Sequence, residues 1–197
     1  MISSTGYAVR FDCSRITATS RNTSGVWGIF TGDRITSSRT GDGGHVVAMI
    51  SSENIDTQIL TITKNGMAKR SRLGTSERVA DLNADGVQKI DKTTGEGKMR
   101  TDGYRKTKPG AKGAYTMDLD HENDDQIISA RQIPNLDDNL FLLTKKGMMI
   151  RINAGQTKET KGKKSKGTRI MELRNSKKTG FVDHIIFAAR LPAELVE

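Results

Sequence analysis

Four lysines, Lys161, Lys163, Lys164 and Lys166, surround Gly162 and Gly167 in the stretch KETKGKKSKGTRIMEL. A second loop of the same kind, GYRKTKPGAKG, places Arg105, Lys106, Lys108 and Lys112 around Gly110 and Gly113. Glycine has no Cβ, so the backbone can come close to a phosphate and donate its N–H groups. Lysine adds charge and releases the counterions condensed on a nucleic acid. Such contacts position a polyanion without reading a base sequence. The same residues would also serve a solvated loop, with glycine for turn geometry and lysine for solubility.

The overall charge favours the first reading. Lys and Arg number 32 against 23 Asp and Glu, a formal charge of +9 over 197 residues. The segment from Lys145 to Lys178 holds twelve basic residues and two acidic ones, so it alone carries +10. The segment from Asp118 to Asp138 holds seven acids and one Arg131. A partnerless surface would intersperse its signs. A polyanion is therefore expected, nucleic acid before a membrane surface.

Enzymatic signatures are absent. There is no GxSxG, HExxH or phosphate-binding P-loop, and His45, His121 and His184 lack metal spacing. No catalytic residue, metal site or cofactor is expected. Aromatic residues make up 5% of the chain, too few for a stacking single-strand binder, and Trp27 and Tyr115 read as packing residues. Duplex backbone binding fits better. Cys13 is the only cysteine, so no disulfide forms within the chain. Neither a secretory leader nor a bilayer-spanning run of roughly 20 apolar residues is present. A soluble, cytoplasmic protein with no membrane partner is expected.

The elements that hold these loops repeat three times. ILTITKNGMAKRSRL alternates apolar and polar residues about Asn65-Gly66, a hairpin signal in which both turn residues are expected at positive φ. GYAVRF and FLLTKKGMMIRI give weaker copies about Gly6 and Gly147, the first cut short in its leading strand. A Thr precedes each glycine by one or three residues (Thr5, Thr63, Thr144), and Arg10, Arg70 and Arg151 each follow by four. Loop glycines Gly25, Gly113 and Gly167 each open a short strand, including Val26–Phe30 and Ala114–Leu119. Further strands are expected at Val46–Ile50, Gln126–Ile133 and Asp183–Leu191, with a polar loop over Thr36–Gly44. The middle copy carries an insertion at about 74–100, with a small hairpin near Gly95. Repeats at about 1–57, 58–138 and 139–191, near 50 residues per unit, predict one all-β, propeller-like domain of about three four-stranded blades, standing alone or as part of a larger or paired ring. Arg10, Arg70 and Arg151 fall on equivalent rims, either for DNA or for an ion pair within each blade.

GYAVRF with RNTSGVWGI, ILTITKNGMAKRSRL, and FLLTKKGMMIRI with KGKKSKGTRIMEL together resemble the blades of the C-terminal β-pinwheel of the DNA gyrase A subunit and of its topoisomerase IV counterpart. The resemblance covers most of residues 6–191 and leaves 74–100 unmatched. It implies a non-catalytic module that bends and wraps duplex DNA on its basic rim and presents it for strand passage and supercoiling. The implied partners are the catalytic core of a type IIA topoisomerase, meaning the rest of the A subunit and the B subunit, on the nucleoid. That family marks one loop with Gln-Arg-Arg-Gly-Gly-Lys-Gly. Thr107 to Gly113 occupy those positions. Lys108, Gly110, Lys112 and Gly113 keep the chemistry, whereas Thr107, Pro109 and Ala111 depart from it. The departures leave open a topoisomerase IV-like domain that holds DNA without chiral wrapping. A propeller-like protein-interaction module, an RNA binder and self-association also remain open. The residues expected at DNA are Arg10, Arg21, Lys64, Lys69, Arg70, Arg105, Lys106, Lys108, Gly110, Lys112, Gly113, Lys145, Lys146, Arg151, Lys161, Lys163, Lys164, Lys166 and Arg169.

Overall fold

The computed structural model describes residues 1–32, 44–161, 165–174 and 182–195. Most of the polar loop expected at Thr36–Gly44, and Gly162, Lys163 and Lys164, lie outside the described residues. In chain order the first strands are β1 (Ile2–Ser3), β2 (Tyr7–Ala8), β3 (Val46–Ala48), β4 (Gln58–Thr63) and β5 (Met67–Arg72). The inserted segment gives β6 (Arg78–Ala80) and β7 (Met99–Thr101). Then come β8 (Ala114–Tyr115), β9 (Ile127–Ile133), β10 (Asn139–Thr144), β11 (Met149–Asn153), β12 (Thr168–Arg169) and β13 (Ile185–Leu191). Among the described residues, helix is limited to four 3-10 turns, one of them at Ala193–Leu195. The chain is all-β.

Three sheets carry the fold, in the orders β3-β1-β2-β8, β9-β4-β5-β12 and β13-β10-β11. Each is built on one hairpin, β1–β2, β4–β5 or β10–β11, whose first strand also pairs antiparallel with a later strand, β3, β9 or β13. The outer strand comes from further along the chain: β8 follows the second hairpin yet pairs with the first, and β12 follows the third yet pairs with the second. The third sheet has three strands where four were expected. Val26–Phe30 forms no strand, and the strand expected over Ala114–Leu119 is limited to Ala114–Tyr115.

One turn recurs in all three hairpins. The N–H groups of Gly6, Gly66 and Gly147 donate to the carbonyls of Ser3, Thr63 and Thr144, at 3.2, 3.2 and 3.0 Å. The next N–H, on Tyr7, Met67 or Met148, donates to the hydroxyl of that same Ser or Thr, at 3.3, 3.3 and 3.2 Å. The three glycines have φ of +82, +85 and +83°. This is a type I turn closed by a glycine bulge. Asn65 is not among the residues with positive φ, so the expected pair of left-handed turn residues reduces to one glycine. The hydroxyl lies three residues before the glycine in every copy, and Ser3 fills that place in the first, not Thr5. Carboxylates brace two turns: Asp125 accepts from the N–H of Asn65 at 3.0 Å, and Asp183 accepts from the Thr144 hydroxyl at 2.6 Å.

The core lies between blades. Central strand β4 is buried from Ile59 to Thr63, so its pleat feeds two cores at once. Leu60 and Ile62 pack with Leu140, Leu142, Met171 and Ile185, while Ile59 packs with Ile2, Met117 and Ile127. Met117 and Met171 each lie four residues beyond a loop glycine. The insertion is an arm whose two strands pair as Arg78↔Thr101 to Ala80↔Met99, with a bridge Ile90↔Gly97 around Gly95. Its base is pinned by Asp102, which accepts from both Arg72 Nη2 (2.9 Å to each oxygen) and the Thr75 N–H at 2.9 Å.

Three basic residues expected at DNA are partly or wholly covered by the fold. Lys69 is 1% exposed, and its Nζ donates to the Thr116 carbonyl at 2.6 Å. Arg10 Nη1 donates to the carbonyls of Leu73, Gly74 and Tyr104, at 3.1, 2.7 and 3.2 Å, clamping the base of the arm. Arg70 is buried. Arg10 and Arg70 share one offset from the turn glycine, and each bridges the covering segment, to Lys106 and Glu159; Lys69, one residue earlier than Arg70, lies on the alternate side of the strand.

Two outcomes are expected. Leu60→Ala removes a fully buried side chain and should cost about 2–5 kcal/mol, measured by urea unfolding. Burial lowers the Lys69 pKa to about 8, against the raising effect of Asp118; the unfolded value is about 10.4. The unfolded state then binds more protons than the native state between those values. Stability of the native chain relative to Lys69→Met should therefore rise from pH 8 to 10, by at most about 1.4 kcal/mol per unit. A difference that stays flat with pH would refute the buried amine.

Candidate nucleic-acid interface

The segment from Arg105 to Tyr115 lies along the outer edge of the first hairpin, and residues 158–161 and 165–169 lie along that of the second. Their anchors correspond residue for residue. The Thr107 N–H donates to the Arg10 carbonyl at 2.6 Å, and the Thr160 N–H to the Arg70 carbonyl at 2.8 Å. Further on, Gly113 sits against Ala8 and Gly167 against Ala68, where an added Cβ would fall 2.3 and 2.2 Å from the carbonyl oxygens. Both glycines have positive φ, +73 and +78°. Only glycine meets both demands, so these residues fix the loops against the sheet. Gly110, φ +72°, turns the chain between them and donates its N–H to the Gly28 carbonyl at 2.9 Å.

Between the anchors the lysines project outward. Arg105, Lys106, Lys108 and Lys112 are exposed on the first loop, as are Lys161, Lys166 and Arg169 on the second. Aligning Thr107 with Thr160 makes Lys108 correspond to Lys161 and Arg105 to Lys158, an exposed residue absent from the expected set. Counting back from the loop glycine hides this match, because the second loop is one residue longer. The two loops meet at a cleft of about 320 Å³ lined by Arg105 and Lys161 with Arg72, Arg100, Tyr115 and Glu159. Arg100 was missed because it lies on β7 of the insertion, and nothing in the local sequence ties that arm to the second loop.

Some positive charge is already matched. Lys106 Nζ lies 3.4 Å from Asp12, Arg169 Nε 3.9 Å from Glu172, and Lys64 Nζ 2.5 Å from Asp124. Exposed pairs of this kind hold together by about 0–1 kcal/mol, so a phosphate can compete for them. Lys112 Nζ stands 5.5 Å from the Phe30 ring centroid, a cation–π distance. Arg21, Lys145, Lys146 and Arg151 are exposed elsewhere, the last with its Nε donating to Asn139 at 2.9 Å. The structure thus gathers Arg105, Lys106, Lys108, Lys112, Lys161, Lys166 and Arg169 on two corresponding outer segments. It leaves Arg21, Lys64, Lys145, Lys146 and Arg151 apart, buries Lys69 and Arg70, and engages Arg10 with three carbonyls. No helix among the described residues is long and apolar enough to cross a membrane.

No curated protein matches this sequence. Solved structures do resemble its fold. The C-terminal domain of DNA topoisomerase IV superposes with a TM-score of 0.65 at 18% identity, over 98% of this chain and 46% of that one. A DNA gyrase A C-terminal domain gives 0.58 at 19% identity, over 96% and 49%. The E. coli ParC C-terminal domain gives 0.53 at 16%, over 97% and 60%. The chain therefore spans about half the length of the first two. The model of the family described as "DNA gyrase C-terminal domain, beta-propeller" matches residues 1–53, 57–75 and 138–187, more than half of the sequence. By that match the chain belongs to the DNA gyrase C-terminal domain family of β-propellers.

Proposed function

We propose that this chain binds and bends duplex DNA without reading its sequence, as a non-catalytic module of a type IIA topoisomerase that presents DNA to the catalytic core for strand passage. Its site of action is the cytoplasm, on the nucleoid. The observation that carries this reading is the correspondence of the two basic outer segments. Lys108 and Lys161 occupy equivalent positions on adjacent blades, one residue beyond the Thr that hydrogen-bonds to the hairpin. A backbone that repeats its lysines blade by blade offers phosphates a curved track. Family membership supports the same ligand class.

Bending a 20–30 bp site costs about 1–6 kcal/mol, so the track must engage several phosphates at once. Each neutralised phosphate contributes roughly −0.9 to the slope of log K against log salt. Lys161 and Lys166 supply charge from the second loop, with Lys163 and Lys164 between them in sequence. Lys106, Lys108 and Lys112 supply it from the first.

Replacing Lys161, Lys163, Lys164 and Lys166 together by Ala should reduce the salt slope for a 30-bp duplex by about three units, measured by fluorescence anisotropy, while thermal stability stays near that of the native chain. An unchanged slope removes that loop from the interface. Arg10→Ala should do the reverse, lowering stability by about 1–3 kcal/mol with the slope nearly intact, because its guanidinium is engaged by three carbonyls. A linking-number shift of nicked plasmid sealed by ligase in the presence of the chain is expected if the bend has a fixed hand. Binding without a shift assigns a DNA-holding role, and no binding at low salt turns the basic surface over to an acidic protein.

A further inference from the structure

Two halves of one blade joint stand open in this chain. The hairpin β10–β11 has no strand on its outer edge among the described residues, although β2 and β5 are covered by β8 and β12. The residues that face outward on those covered strands are the second and fourth after the turn glycine, Ala8 with Arg10 and Ala68 with Arg70. Their counterparts are Met149, 62% exposed, and Arg151. The turn glycine reports the same gap. A Cβ on Gly6 or Gly66 would meet the carbonyl of Met117 or Met171 at 2.8 or 2.7 Å, whereas on Gly147 it would meet nothing within 4 Å.

The complementary half lies near the start of the chain. Segments of this class carry a basic residue, any residue and Thr, then a loop glycine: Arg105-Lys106-Thr107 with Gly113, and Lys158-Glu159-Thr160 with Gly167. Arg15-Ile16-Thr17 with Gly25 repeats that order. Yet Asp12 to Trp27 is exposed throughout, Val26 by 66%, and a Cβ on Gly25 would meet nothing within 4 Å. The segment is nevertheless seated in the series. The Phe30 N–H donates to the Ala111 carbonyl at 3.0 Å, as the Asp118 N–H, equally placed after its glycine, donates to Ser165 at 3.2 Å. Ile29 is buried, like Met117 and Met171. What this segment lacks is a hairpin on its other side.

The geometry points to a second copy of this chain as the occupant: residues 12–27 of each protomer cover the β11 edge of the other, in a reciprocal head-to-tail dimer. The register follows from the two covered joints, where Tyr115 and Ala114 pair with Tyr7 and Ala8, and Arg169 and Thr168 with Met67 and Ala68. Val26 then pairs with Met149 of the second copy, and Trp27 with Met148. Arg151 pairs with Ile16, as Arg10 does with Lys106 and Arg70 with Glu159. The exchange is the one already made twice within the chain, so no new kind of contact is required. A two-fold pair satisfies both open halves at once and closes the array.

The test uses the full chain with Cys13→Ser as background. A Val26→Cys chain is mixed with a Met149→Cys chain under mild oxidation. Directly opposed antiparallel residues lie about 4.5–5.5 Å apart at Cα, within disulfide reach, so a crosslinked heterodimer should form. Val26→Cys mixed with Met49→Cys, exposed at 79% on the first blade, should not give it. Sedimentation equilibrium should show a dimer for the native chain. Met149→Pro removes only an outward N–H, which an edge strand tolerates, and should weaken the dimer about tenfold or more. A native chain that sediments as a monomer overturns the proposal. A dimer that crosslinks equally with Met49→Cys, or is indifferent to Met149→Pro, overturns it too. DNA binding is read separately, so its failure does not affect this result.

Discussion

The structure depends on covering the outer backbone edge of each hairpin. A strand edge presents a row of N–H and C=O groups that must be paired or solvated. Here the cover is two short strands, β8 and β12, of two residues each. Strands so short cannot hold themselves, so glycine supplies the missing specificity. Gly113 and Gly167 let the backbone lie against the hairpin where any Cβ would collide with a carbonyl. The turn glycines work from the other side, since Gly6 and Gly66 accept the carbonyls of Met117 and Met171. Four glycines thus define two joints, and the methionine that follows each joint fills the core between blades.

The same joints explain why positive charge in this chain has two unlike roles. Outward-facing hairpin positions are covered by a later segment, so a basic residue there is partly or wholly withdrawn from water. Arg10, at such a position, answers with three carbonyl acceptors; the buried Lys69, on the alternate side of its strand, answers with the carbonyl of Thr116. Covering a cation is costly unless its donors are met, and both residues meet that demand with loop and strand-end carbonyls. The lysines of the covering segments lie one layer further out and remain at the surface. Position relative to the joint, not residue type, separates structural cations from those available to phosphate.

Much of this was legible in sequence. The glycine spacing located all three hairpins, and the alternating run at Gln58–Arg72 located the central strands. The covering loops were recognised as loops of lysine and glycine. What could not be read was which sheet each loop joins. The pairing of Ala114 with Ala8 spans more than a hundred residues and rests on two backbone contacts, which leave no periodic side-chain pattern. The surroundings of Arg10 and Arg70 were hidden for the same reason, because the segment that covers Arg70 and partly covers Arg10 lies far along the chain. The Asn65-Gly66 dipeptide suggested a two-residue turn, but the Thr63 hydroxyl takes the Met67 N–H and favours the bulged form. The equivalent Ser3 was passed over because Thr5 lies closer to its glycine.

The unmatched stretch shows which of these demands is the strictest. The family model stops at residue 75 and resumes at 138, so it omits both the inserted arm and the segment that covers the first hairpin. Yet that segment meets the hairpin as its well-matched counterpart does: Gly113 approaches Ala8 as Gly167 approaches Ala68, and Thr107 bonds Arg10 as Thr160 bonds Arg70. Around those anchors Tyr104, Pro109 and Tyr115 replace residues of quite different shape. The arm itself is tied down at its base, by Asp102 on one side and Arg10 on the other, so its length adds nothing to the geometry of the joint. A joint defined by backbone hydrogen bonds and by the absence of a Cβ tolerates nearly any side chain between its anchors. The surface loops of this fold can therefore change their charge and length while the blades beneath them keep their register.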